Sequence, residues 1–172
     1  MNRETLQAEL EARLCGDYAR AFSERDVAAL ASIYRPNSVV IFHQLGEDKS
    51  GRGGKGKDVA LYNGSMLAAL LRLTIPASLG ARTLFKRLRK RDYGHSTIQL
   101  LAFEDLSTAG QHRARVNCSF ERFRRNGDSL ETGYGLYLME KIDGLWRISE
   151  IWIYDDINAP PAELQLDRLT AV

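Results

Sequence analysis

Leu6, Leu10, Leu14, Tyr18 and Phe22 stand at strict four-residue intervals, with Ala21 beside them, a spacing that predicts a helix with one apolar side. Ser23-Glu24-Arg25-Asp26 interrupts the pattern, and Asp26 is placed to cap a second short helix carrying Val27, Leu30, Ile33 and Tyr34. Pro36-Asn37 ends that helix, and residues 38–44 read as a β-branched and aromatic strand. Beyond a polar, glycine-rich loop over 46–56, a third helix is expected from Lys57-Asp58 to Leu73, stopped by Pro76. Residues 81–91 are expected to continue as a broken helix with Leu84, Phe85 and Leu88 on its apolar side. From Gly94 the period changes to two, giving strands near 95–103, 113–125, 131–141 and 146–154.

Asn126-Gly127 and Asp143-Gly144 both suit the positive φ of a type I′ hairpin turn. Two-residue turns there pair Arg125 with Asp128, Arg122 with Glu131, Glu140 with Arg147, and Lys141 with Trp146. Opposite charges meet in three of these pairs, which supports the register. Uninterrupted alternation then puts Cys118, Tyr137, Glu150, Trp152 and Tyr154 on one face with Gly133 and Gly135. The other face carries an apolar group of Tyr134, Leu136, Leu138, Ile151 and Ile153, which suggests a homodimer packed sheet against sheet, with cover by the tail as its rival.

The 172 residues suffice for one domain with a sizeable core, here placed at 1–156 and followed by a tail at 157–172. With 44% hydrophobic and 27% charged residues the composition is that of an ordinary soluble protein, and no apolar run approaches a membrane span. Cytoplasmic residence is the default, and Cys15 and Cys118 are expected to be free thiols. The net charge of +2 is a weak footprint for nucleic acid. The basic run from Arg82 to Arg91 has only Phe85 and Tyr93 as neighbouring aromatics, so it reads as a solvated helix face.

The order of Tyr18-Ala-Arg-Ala-Phe22, Arg25-Asp26-Val-Ala-Ala-Leu30, Ile33-Tyr34-Arg-Pro-Asn37 and residues 39–42 resembles the nuclear-transport-factor-2-like, or SnoaL-like, superfamily. Gly56-Lys-Asp-Val59, His95-Ser-Thr-Ile98 and Lys141-Ile-Asp-Gly-Leu-Trp-Arg-Ile148 extend the resemblance over residues 6–155. It implies an α+β, cone-shaped cystatin-like roll, with N-terminal helices packed on a curved antiparallel sheet around a cavity. It names no reaction, because the superfamily spans isomerases, dehydratases, cyclases, epoxide hydrolases and non-catalytic binding domains. Steroid isomerase relatives use an acidic base on the first strand, where this chain has Val39-Val-Ile-Phe42. Tyr18 is similar to their helix-one tyrosine, and His95 to a sheet histidine of scytalone dehydratase relatives.

The candidate acid–base set is accordingly His95, Tyr18 and Glu150, with His95 able to move a proton near neutral pH. Tyr137, opposite Glu150 in the inferred register, joins Trp152, Tyr154 and Cys118 as a ligand-binding candidate, and Gly133 and Gly135 leave room for a flat molecule or permit curvature. His43, His95 and His112 match no short metal spacing, and Gly51-Arg-Gly-Gly-Lys-Gly56-Lys57-Asp58 lacks the Ser or Thr of a phosphate-binding loop. Neither a metal nor another cofactor is expected. Three readings follow: a pocket for a small apolar or aromatic molecule, a cofactor-free isomerase, dehydratase or cyclase using His95, or a non-catalytic homodimeric interaction module.

Overall fold

The computed structural model describes residues 2–45 and 57–154. The expected loop at 46–56 and the tail at 157–172 lie outside the described residues. The first helical stretch contains α1 (Arg3–Glu11), a π-helical segment (Ala12–Tyr18) and α2 (Ala19–Glu24). The four-residue apolar spacing explains the middle piece. Four residues of α-helix turn about 400°, so such a repeat drifts about 40° per step, enough to carry Phe22 away from Leu6. The wider i→i+5 turn, closed by the Ala19 N–H on the Leu14 carbonyl, absorbs the drift. All five residues are buried.

Arg25, in the left-handed conformation, breaks this stretch, and the Asp26 carboxylate accepts from the N–H groups of Ala28 and Ala29 to start α3 (Val27–Ile33). Strand β1 (Ser38–Leu45) follows. The expected third helix is replaced by strand β2 (Lys57–Asn63), antiparallel to β1, and a short α4 (Met66–Leu71) capped by Ser65. The β-propensity of Val59-Ala-Leu61-Tyr62 and an open place beside β1 outweigh local helix signals there, and Leu61 and Tyr62 are buried. Two residues of β3 (Ile75–Pro76) lead into α5 (Ala77–Lys90), which is unbroken and starts earlier than its apolar positions suggest.

The long strands β4 (Tyr93–Asp105), β5 (Arg113–Arg124), β6 (Ser129–Ile142) and β7 (Leu145–Tyr154) form a meander. The sheet order is β3-β2-β1-β7-β6-β5-β4, antiparallel except for the β2–β3 and β1–β7 pairs. This is the expected α+β architecture, a curved, unclosed sheet with helices against one face. Glu9 fastens helix to sheet, accepting from Lys141 Nζ at 2.7 Å and Trp146 Nε1 at 2.8 Å. No helix among the described residues is long and apolar enough to cross a membrane.

The hairpin registers agree with the sequence at Arg122–Glu131, Glu140–Arg147 and Lys141–Trp146. Asp143 and Gly144 both have positive φ, as a type I′ turn requires. The other turn differs: only Gly127 has positive φ, and the Arg124 N–H bonds to the Asp128 carbonyl around a three-residue loop. The resulting one-residue offset is undone at Leu130, skipped between the Phe123–Ser129 and Arg122–Glu131 pairs.

A second bulge revises both faces. Ile148 pairs with Met139, but Glu150 pairs with Leu138, so Ser149 is an extra residue, and its hydroxyl donates to the Leu138 carbonyl at 3.2 Å. Beyond it alternation is reversed. Ile151 and Ile153 come to the helix-covered face, while Glu150, Trp152 and Tyr154 go to the outer one. An unbulged strand would have put the Glu150 carboxylate into the aromatic interior, a costly placement without a partner.

Candidate functional site

Tyr18 and Phe22 descend from the helical stretch onto the sheet, Tyr34 closes α3, and Tyr137 rises from β6. Tyr18 is the hub: its ring packs against Phe22, Tyr34 and Tyr137 with centroids 6.2, 6.3 and 6.0 Å away. The Tyr34 ring meets that of Tyr18 edge to face. Burial pushes the phenols of Tyr18, Tyr34 and Tyr137 above their ordinary range, so they remain protonated and act as donors near neutral pH.

A cleft of about 470 Å³ opens beside this cluster, between β1, β2 and α5, with Phe42, Leu61, Phe85 and Ile153 in its walls. Its size suits a small organic molecule. A much smaller space of about 20 Å³, room for about one water, continues it toward Tyr137 and Ser96. Tyr18, Phe22, Arg122 and Ile153 border both. No Asp, Glu or His among the described residues lines either space.

Two cationic side chains line the large cleft, Arg87 from α5 and Arg122 from β5, and of the two only Arg122 also borders the small space. Its guanidinium carbon lies 5.0 Å from the Phe22 ring centroid and 4.9 Å from that of Phe120, and its side chain is 15% exposed. Its Nη1 pairs with Glu131, which is also held by Arg91. Burial works hardest on the Glu131 carboxyl and would raise it, but the charges and hydrogen bonds of Arg122 and Arg91 together hold it below the ordinary carboxylate range.

The sequence-derived candidates separate. Tyr18 and Tyr137 meet in the cone, and Cys118 lies on the same side of the sheet, fully buried with its thiol pushed up by desolvation. Cys15 and Cys118 are both free. His95 does not enter the cone: it is exposed and stacks on Phe123, 4.7 Å between centroids, because alternation from the inward Ser96 and Ile98 turns it outward. Glu150, Trp152 and Tyr154 are outside as well, displaced by the Ser149 bulge, and Trp152 stacks on His43 at 4.7 Å. Tyr137 therefore faces Ile151 rather than Glu150. Neither glycine opens a ligand slot. A Cβ on Gly135 would meet the Tyr137 ring at 2.8 Å, and one on Gly133 the Phe120 ring at 2.6 Å.

Sequence reasoning passed over Arg122 as a site residue, although its signal was present. Val116, Cys118 and Phe120 alternate onto the inner face, and the next inward position is Arg122. The alternate spacing of Ile148, Ile151 and Ile153, three and then two, likewise marks the bulge. Among the described residues no three His, Cys, Asp or Glu side chains gather to hold a metal ion.

Solved structures share this architecture. An NTF-2-like protein of unknown function from Shewanella oneidensis MR-1 superposes with a TM-score of 0.58 at 18% identity, covering 87% of this chain and 98% of that one. A ketosteroid isomerase-like protein from Erwinia carotovora atroseptica gives 0.56 at 15%, with coverages of 93% and 100%. A cystatin-like domain of unknown function from Nostoc punctiforme PCC 73102 gives 0.61 at 10%, with coverages of 100% and 89%. No family model matches the sequence, and no curated protein matches it. What this chain shares with those solved structures is the fold, that of NTF-2-like and cystatin-like proteins.

Proposed function

We propose that the cone binds a small, mainly apolar or aromatic molecule. The supporting observation is the cleft of about 470 Å³, walled by Phe42, Leu61, Phe85 and Ile153 and floored by protonated tyrosines. Burying apolar area there contributes about 25 cal/mol per Å² before the costs of association. The phenols orient a ligand oxygen by donation. Binding without turnover is favoured over isomerisation, dehydration or cyclisation, because the described lining offers donors but no carboxylate or imidazole to take a proton.

Titration with the neutral fluorophore N-phenyl-1-naphthylamine tests this reading. Saturable enhancement that Ala81→Phe abolishes, with far-UV circular dichroism unchanged, is the expected result, since Ala81 lines the cleft from α5. Equal binding by the variant would place the fluorophore elsewhere.

A second copy of the chain is the proposed macromolecular partner. The outer face keeps Tyr134, Leu136 and Leu138 and gains Trp152 and Tyr154 in place of Ile151 and Ile153. An aromatic patch of this kind suits a sheet-to-sheet homodimer.

A further inference from the structure

We infer that the ligand of the cone carries an anionic group, a carboxylate or an equivalent oxyanion, held by Arg122 at the boundary between the large cleft and the small space beyond it. The inference rests on the binding reading above and adds the chemical class of the ligand. Three observations carry it. Arg122 borders both spaces, its side chain is largely buried, and aromatic faces of Phe22 and Phe120 flank its guanidinium. A guanidinium has five N–H donors in a fixed fork. Among the described residues only Nη1 has a hydrogen-bond partner, the Glu131 carboxylate.

That carboxylate is shared with Arg91, so one negative charge faces two positive ones and the cluster keeps a net charge of about one unit. A cation retained in an apolar cleft is costly unless paired. An anion arriving with an apolar body supplies the missing charge and accepts from Nε and Nη2, while the body fills the cleft. The Arg122 field also reaches the tyrosines, drawing the Tyr18 and Tyr137 phenols down against the upward push of burial. An oxyanion beside Arg122 would lie within the same donor-rich corner.

The purely structural reading, in which Arg122 only pins Glu131, predicts indifference to ligand charge. A matched pair of probes separates the two. 1-Anilinonaphthalene-8-sulfonate and N-phenyl-1-naphthylamine share a ring system and differ by the sulfonate. The wild-type protein is expected to bind the sulfonate about tenfold more tightly, the value of one charge-assisted hydrogen bond, with each probe displacing the other. Arg122→Met should remove that preference and leave the neutral probe within about twofold. Glu131→Gln, which retains Arg122 but frees it from its carboxylate, should tighten the sulfonate severalfold and spare the neutral probe. Equal affinity for both probes in the wild type, or a Glu131→Gln protein with unchanged sulfonate affinity, would overturn the anionic assignment while leaving an apolar pocket. Failure of both probes to bind would overturn the pocket and the assignment together.

Discussion

Ile151 stands opposite Tyr137 on the cone side of the sheet, while its neighbour Glu150 stands opposite Leu138 on the other side. The single extra residue Ser149 produces this arrangement and decides which side chains can meet a ligand. Ile151 is fully buried, so Ile151→Ala is expected to destabilise the fold by about 2–5 kcal/mol in urea unfolding. Glu150→Gln should change stability by less than about 0.5 kcal/mol and leave probe affinity unaltered. A Glu150→Gln protein that lost cone binding would contradict the bulge.

Gly135 is required by the ring of Tyr137, not by a ligand. Gly135→Ala would bring a methyl group within 2.8 Å of that ring, and overpacking of this kind costs about 1–3 kcal/mol. Thermal denaturation should show a lower midpoint, and the double variant Gly135→Ala/Tyr137→Leu should recover part of the loss. Equal midpoints for wild type and single variant would show that the ring moves aside freely.

Glu9 links the N-terminal helix to the last hairpin. The Lys141 hydrogen bond leads the influences on its carboxyl, and with Trp146 and the Lys141 charge it outweighs burial and holds the group below its ordinary value. A carboxyl with a lowered folded-state pKa stabilises the fold above its unfolded pKa, about 4.3, and that contribution disappears as pH falls through the folded value. Glu9→Gln should therefore reduce stability at pH 7 and lessen its decline under more acidic conditions. Urea midpoints measured from pH 7 to pH 2.5 test this. A constant gap between the two proteins across the range would exclude the linkage.

Trp152, stacked on His43 outside the cone, is the most informative position for self-association. Trp152→Glu should convert a dimer to a monomer in sedimentation velocity while leaving probe binding intact. A wild-type protein that sediments as a monomer at all accessible concentrations would remove the dimer proposal.

The legible parts of the sequence were those where one local rule acted alone. Asp143-Gly144 specified its turn, Asp26 its cap, and the period-two segments their strands, because each depends on neighbours a few residues away. Lys57–Asn63 was misread because its strand state depends on β1 rather than on its own propensity. The candidate site was lost at Ser149, where one residue reversed the phase of the strand end that carried three of the candidates. Tyr18 and Tyr137 stayed in place because one belongs to the helical stretch and the other to β6, whereas the extra residue lies in β7, and His95 failed because an exposed strand position and an inward one look alike beside Ser96.

The parallel contact between β1 and β7 has a consequence for the order of assembly. Phe42, on a strand made early in synthesis, shares the cleft with Ile153, on the last strand described. Joining such distant segments carries a large loop-closure cost and comes late when local helices and hairpins form first. The β4–β7 meander can zip through successive neighbours, whereas the β1–β2 arm must wait for β7 to emerge. Until then the wall bearing Phe42 and Leu61 has no β7 to close against, so the newborn chain completes its cavity only once β7 has joined β1.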